Sequence, residues 1–203
     1  PWSVRFCEEY PVEDLGHTAV FFHADTGKRF MIVTPSKTVG TADKVFLLEE
    51  TLDRCRACGL SMPNVAFLDF TEQYESFMHV PSIRDAREIV QRYQGAGEIN
   101  GLKRYSAIIE GPMAFDIAAS EKAAQIKQYP SRVAGKTDVF FMPDYTSGIL
   151  LTELYKRWDL LHCPWKAADI SYGGAVPVLI PSRSDSYEHK LRSLTAAAFI
   201  SMH

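Results

Sequence analysis

The chain has 203 residues, room for one large domain or two small ones. Hydrophobic residues make up 46% and charged residues 23%, which supports a packed core and excludes a disordered chain. Lysine and arginine total 22 against 25 acids, for a net charge of −3. With no basic run, a protein whose main partner is bulk nucleic acid is excluded.

No stretch approaches 18 consecutive apolar residues, so neither a membrane-spanning helix nor a membrane partner is expected. Residues Pro1 to Glu9 are acidic and lack an apolar core, so they do not read as a signal peptide. Four cysteines (7, 55, 58 and 163) are too few for a disulfide scaffold, and reduced thiols in the cytoplasm are the expectation. The chain opens on Pro1 and not on Met, which reads as a fragment or a processed chain.

Strands are predicted over Thr18–His23 and Phe30–Thr34, joined through Ala24–Lys28 as a hairpin. A helix over 43–58 sets Val45, Leu48, Leu52 and Cys55 on one face. After a strand at Asn64–Leu68, a helix over 82–94 opens on a Ser82 cap with Asp85 three residues on, and buries Ile83, Ala86, Val90 and Tyr93. A loose Gly95–Gly101 linker leads to a strand at Ser106–Glu110 and an alanine-rich helix over 114–126. A second linker, Tyr129–Lys136, leads to a strand at Asp138–Met142. The helix over 147–161 carries Leu150, Leu151, Leu154 and Trp158. The last strand is predicted at Val176–Ile180, and the last helix starts near Asp185 and buries Leu191, Leu194 and Ala198. Strands that are apolar throughout suit a sheet buried on both faces. The alternation of strand and helix predicts an α/β fold with a largely parallel sheet and right-handed crossovers.

Ligands of open α/β sheets sit in the loops at the carboxyl ends of the strands. Three such loops are rich in polar groups: Glu110–Asp116, Pro143–Gly148 and Pro181–Ser186. The third sets Ser182, Arg183, Ser184 and Asp185 just before a helix start, a natural anion site of backbone N–H groups and a forked guanidinium. The same residues also fit an ordinary helix cap with Arg183 as a surface charge. Asp144 and Asp116 face the same choice between turn or cap residue and functional acid.

The segment Glu110-Gly111-Pro112-Met113-Ala114-Phe115-Asp116 resembles the "DGP-apolar-x-FD" motif of the phosphate acetyltransferase/phosphate butyryltransferase family. Val133-Ala134-Gly135, followed by Asp138 and by Pro143-Asp144 through Gly148, resembles that family's "VAG-x-x-D-(apolar)-PD-x-x-x-GN". Gly174-Ala175-Val176-Pro177-Val178-Leu179-Ile180-Pro181-Ser182-Arg183-Ser184-Asp185-Ser186 is similar to "GAKVPVVLTSRADS". Order and spacing agree across all three, and Gly16-His17-Thr18-Ala19-Val20-Phe21 fits "SH-x-AVF". The resemblance covers residues 13–203, with 1–12 as a lead-in or a remnant of a first domain.

That resemblance implies the three-layer, isocitrate-dehydrogenase-like fold, here as the C-terminal part of a two-domain acyltransferase. It implies reversible transfer of a short acyl group between coenzyme A, a substrate, and inorganic phosphate, with no metal and no covalently bound cofactor. Ser182 and Arg183 match the family's Ser-Arg pair, which bonds at the reacting centre and holds phosphate. Asp144 and Asp185 match cleft acids, and in the acetyltransferase branch the base falls where this chain has Glu188 or His189. Ser184, Gly148, Gly111, Pro112 and Asp116 are candidate substrate-binding residues. The family's "GN" is Gly148-Ile149 here, and the N-terminal segment that supplies further phosphate-binding arginines is not in this sequence. A non-catalytic relative that binds acyl-CoA or mediates oligomerisation is the alternative.

The remaining features read blandly. Cys55-Arg56-Ala57-Cys58 lies in an amphipathic helix without a second pair, and the six histidines have no ligand spacing, so no metal site is expected. Trp158–Trp165 forms an apolar stretch at a helix end, either core or subunit contact, and a homodimer is expected from the resemblance. The Ser182–Asp185 loop is expected beside Asp144.

Overall fold

The computed structural model describes residues 12–23, 25–37, 40–94, 106–158, 165–174, 178–179 and 181–202. Strands β1 (Val12–His23) and β2 (Arg29–Pro35) form the expected antiparallel hairpin, with Phe21 opposite Phe30. The chain continues through α1 (Thr41–Ala57), β3 (Asn64–Leu68), a 3₁₀ turn at Tyr74–Phe77, α2 (Pro81–Gln94) and β4 (Ile108–Met113). Then follow α3 (Phe115–Ala119), α4 (Glu121–Ile126), β5 (Val139–Phe141), α5 (Tyr145–Trp158), β6 (Trp165–Gly174) and α6 (Tyr187–Ser201). The sheet order is β4-β3-β5-β2-β1-β6. β4, β3, β5 and β2 run parallel, and β1 lies antiparallel between β2 and β6.

Alternation along the parallel strands explains the layers. Val33, Val65, Phe67, Val139 and Phe141 face α1 and α2, where Leu47, Leu48, Leu52, Ile89 and Val90 are buried. Ile32, Ala66, Leu68, Phe140 and Met142 face the other side, with Met113, Ile117, Ala118 and Ala124. Strands buried on both faces read as unbroken apolar runs, which is why they were visible in the sequence.

Several expectations need correction. α2 begins with Pro81 at its first helical position, a site where the missing N–H costs nothing, so Ser82 is not its cap. The alanine-rich segment is two short helices, because Ser120 leaves helical geometry and accepts a hydrogen bond from the Ala123 N–H. α6 is capped by Ser186, which accepts from the His189 N–H at 3.1 Å, and buries His189, Ser193 and Ala197. Leu191 and Leu194 are exposed instead, as are Leu150 and Leu154 on α5. The Tyr129–Lys136 linker is pinned, because the Glu110 carboxylate accepts from Ser131 Oγ at 2.7 Å and pairs with Arg132.

The largest departure is at the sheet's edge. β6 was not expected, since Ala167, Ala168, Asp169 and Ser171 carry little strand propensity; its strand state comes from pairing with β1 over nearly its whole length. Of the strand expected at Val176–Ile180, only Val178 and Leu179 are described, and Val178 makes an isolated antiparallel bridge to Ser171. The Gly95–Gly101 linker and the interior of the Trp158–Trp165 stretch lie outside the described residues. Among the described residues, no helix is long and apolar enough to cross a membrane.

Candidate functional site

The carboxyl ends of the four parallel strands carry Ser36 and Lys37 after β2, Asp69 and Phe70 after β3, Phe115 after β4, and Pro143 and Asp144 after β5. Two cavities open along this edge and share Pro143 and Asp144. The polar one, of about 450 Å³, is bounded by Ser36 and Lys37 and by the N-terminal ends of three helices: Lys44 of α1, Ser82 and Asp85 of α2, and Tyr145 and Thr146 of α5. First turns present N–H groups with no intrahelical partner and the positive end of the helix dipole, so this wall favours an anion.

Lys44 and Asp85 are buried at its base, with Nζ donating to Oδ2 at 2.9 Å, while Thr41 Oγ1 donates to Oδ1 at 2.9 Å. The Lys44 ammonium also lies 3.4 Å from the Pro143 carbonyl, which ties α1 and α2 to the loop after β5. Lys37 stacks its ammonium 4.9 Å from the Tyr145 ring centroid. The sequence signal for this group was a lysine in the first turn of a helix, against the dipole, which asks for an acidic partner.

The second cavity, of about 550 Å³, is apolar, with Leu68, Phe70, Phe115, Met142, Leu151 and Leu154 among its walls and Asp69 and Asp144 as its charged members. Asp144 stands between the two cavities. Its Oδ1 accepts the Ser147 N–H at 3.0 Å and its Oδ2 accepts Ser147 Oγ at 3.1 Å, so it also caps α5.

The other candidates are distributed as follows. Gly111 lies within β4 at φ +136°, where a Cβ would come within 2.4 Å of the Phe67 carbonyl oxygen, so glycine there serves strand approach; Pro112 is buried beside it. Gly148 brings α5 against β2, since a Cβ would meet Thr34 Oγ1 at 2.3 Å. Asp116 is half-exposed and pairs with Lys127 at 3.0 Å, and that hydrogen bond is the main reason the Lys127 pKa is raised. None of these four lines either cavity.

The loop with Ser182, Arg183, Ser184 and Asp185 does not sit beside Asp144. Arg157, at the end of α5, donates to Ser184 Oγ at 2.7 Å, whereas Asp144 precedes the start of that helix. Fourteen residues at 1.5 Å each put about 20 Å between them. The cause is β6: the sheet edge it forms carries α6 and the 181–186 loop to the far end of α5.

There Ser182 N–H donates to Asp185 Oδ2 at 2.7 Å and the Ser182 and Ser184 hydroxyls lie 3.0 Å apart, while Arg183 is exposed. Beneath the loop, Asp169 Oδ2 lies 2.5 Å from Lys156 Nζ and 2.9 Å from His189 Nε2, with Asp185 Oδ2 3.8 Å from the same nitrogen. Burial alone would raise the Asp169 pKa, but the His189 hydrogen bond and the Lys156 charge outweigh it and the pKa is lowered. For Lys156, burial opposes the charge and Asp169 more than offsets it, so its pKa is raised. Asp169, Asp185 and His189 bring their ligand atoms within 4.8 Å of one another, a grouping that residue spacing did not suggest. The Lys156 ammonium is the cation held at Asp169 in this arrangement.

Residues 40–198 match the family model described as "Phosphate acetyl/butaryl transferase". The chain is 32% identical over 159 residues to the phosphate butyryltransferase of Clostridium acetobutylicum, covering 78% of this chain and 48% of that protein. It is 33% identical over 168 residues to the phosphate acetyltransferase of Thermotoga maritima, covering 83% and 52%. Among solved structures, a branched-chain phosphotransacylase from Enterococcus faecalis superposes with a TM-score of 0.73 at 27% identity, over 93% of this chain and 63% of that one. A phosphotransacetylase from Streptococcus pyogenes, at 19% identity, shares the fold with a TM-score of 0.71, over 94% of this chain and 55% of that one. The chain thus spans about half the length of the curated relatives it matches.

Proposed function

Because the chain belongs to the phosphate acetyl/butyryl transferase family, we propose that it is part of an enzyme moving a short acyl group between coenzyme A and inorganic phosphate. In the direction of acyl-CoA synthesis, a base takes the proton of the CoA thiol, and the thiolate sulfur attacks the carbonyl carbon of the acyl phosphate. The C–S bond forms, the bond from carbon to the phosphate oxygen breaks, and inorganic phosphate leaves with the electron pair. The reverse reaction consumes acyl-CoA and phosphate.

The observation that carries this reading is the meeting of a polar and an apolar cavity at Asp144. A phosphoryl group suits the three helix starts with Lys37 and Lys44, and an acyl chain suits the apolar side, which sets the acyl carbonyl at the junction. Buried Lys44 is neutralised by Asp85, so the anion is attracted by the helix starts and Lys37 more than by Lys44.

The proposal keeps Ser182, Arg183 and Asp185 as groups that serve the reaction in the full-length, assembled protein. Within one chain their loop is held at the far end of α5. A homodimer in the cytoplasm, acting without metal, completes the proposal.

The test is phosphate-dependent release of free CoA from acetyl-, propionyl- and butyryl-CoA by the full-length protein. Turnover with at least one of them supports the reading. Measurable acyl-CoA binding with no turnover would make it a binding module instead.

A further inference from the structure

The apolar cavity at the carboxyl edge has a composition that a plain hydrocarbon chain does not require. Its charged wall residues are Asp69 and Asp144, with no lysine, arginine or histidine among the residues that line it. Asp69 is 91% buried at the end of β3, where its backbone N–H donates to the Met113 carbonyl at 2.9 Å. Its Oδ1 accepts the Phe70 N–H at 2.8 Å, and its Oδ2 is buried with no hydrogen-bond partner. A carboxylate oxygen in that state is unusual, because buried polar groups are nearly always satisfied. The terminal torsion of an aspartate is soft and two-fold, so either oxygen turns readily toward a donor arriving from the cavity.

Two further features narrow the donor. Phe70 and Phe115 flank the same space, and aromatic faces attract cations. The Lys127 ammonium is paired with Glu72 and Asp116, away from these walls. Two acids, two phenyl rings and an aliphatic floor therefore surround a space with no basic group among the described residues that line it.

We infer that this cavity takes a primary ammonium group carried on a short aliphatic body, with Asp69 as its hydrogen-bond acceptor. Resting on the function proposed above, the body is the acyl chain of the substrate, which bears an amine at its distal end. Asp69 is then a specificity-determining residue, and the acyl transfer itself is unchanged in its atoms and electrons. A free alkylamine has the same chemistry and fits the same space as an occupant in its own right.

Two measurements separate these sources and the proposal from its premise. The first is binding of n-pentylammonium to the chain, against n-pentanol and pentanoate, followed by NMR shifts of Phe115 and Leu154. The ammonium is expected to bind roughly 10- to 150-fold more tightly than the alcohol, the range of one charge-assisted hydrogen bond. Asp69→Asn should abolish that preference. Leu154→Lys, at a half-exposed rim position where folding is not at stake, should weaken the ammonium and strengthen the carboxylate.

The second is kcat/KM for β-alanyl-CoA against propionyl-CoA in the full-length protein, where Asp69→Asn should reverse a preference for the amine, read as the ratio of the two values. Equal binding of pentylammonium and pentanol would overturn the inference, as would selectivity that both substitutions leave unchanged. Amine binding without amine-acyl turnover would keep the site and assign it to free amines. Loss of all acyl-CoA turnover, with amine binding intact, would refute the proposed function and leave the ammonium site standing.

Discussion

Gly148→Ala tests whether α5, and with it Asp144, is held against β2 by the absence of a side chain. A Cβ at this position would lie 2.3 Å from Thr34 Oγ1, 2.4 Å from Cγ2 and 2.8 Å from Cβ, all well inside van der Waals contact. Thr34 is fully buried, its strand is paired on both sides, and its β-branched side chain has few rotamers to escape into. Relief requires α5 to lift from the sheet. Overpacking of this kind costs about 1–3 kcal/mol, while alanine in place of glycine in a helix returns about 1 kcal/mol of propensity. With three atoms under 3 Å, the upper part of the overpacking range applies, so a net loss of about 1–2 kcal/mol is expected. For a chain of this size that lowers Tm by about 2–8 °C.

Thr34→Ala removes the two closest of the three obstructing atoms, Oγ1 and Cγ2, and with them a buried hydroxyl that has no partner, while Cβ stays at 2.8 Å. The double variant Gly148→Ala/Thr34→Ala should therefore recover at least about 1 kcal/mol more than additivity allows. Urea unfolding of the four proteins measures this. A Gly148→Ala protein more stable than the parent, or a double-mutant cycle with no coupling, would refute the close approach and the positioning role argued from it.

Three other outcomes are expected. Asp169→Asn takes the nearest acid from the buried Lys156 ammonium, which keeps Glu153 at 3.4 Å, and should cost about 1.5–3 kcal/mol at neutral pH, the range of a hydrogen bond to a charged group. Because the Asp169 pKa is lowered from 3.8, its contribution is present above that value and lost as pH falls through the native one; because the Lys156 pKa is raised from 10.5, its part is lost only as pH rises beyond that. The stability gap between parent and variant should shrink in acid as Asp169 is protonated, and a gap unchanged at pH 2 would contradict this. Cys55, whose thiol is pushed up to about 12 by burial and then by Cys58, should resist alkylation at pH 8 in the native protein while the less buried Cys58 reacts, as peptide mapping would report. On the proposed function, Arg183→Lys in the full-length protein should lower kcat/KM for the acyl phosphate roughly 10- to 150-fold, because lysine cannot reproduce a bidentate fork; unchanged turnover would remove the 181–186 loop from the phosphate.

By itself, the sequence determined the features that depend on local pattern. Unbroken apolar runs marked β2, β3 and β5 as strands buried on both faces, helical spacing marked α1 and α2, and motif order marked the family. Only the tertiary structure decided β6, whose alanines and polar residues become a strand because β1 offers them an edge to pair with. It also decided that Asp144 and the Ser182–Asp185 loop lie at opposite ends of one helix. The Lys44–Asp85 pair joins residues 41 apart, and the Asp69 oxygen lacks a partner only because of what surrounds it in the fold. Periodicity reports which face of an element is buried, whereas these relations are set by strand order and crossover, which no single segment encodes.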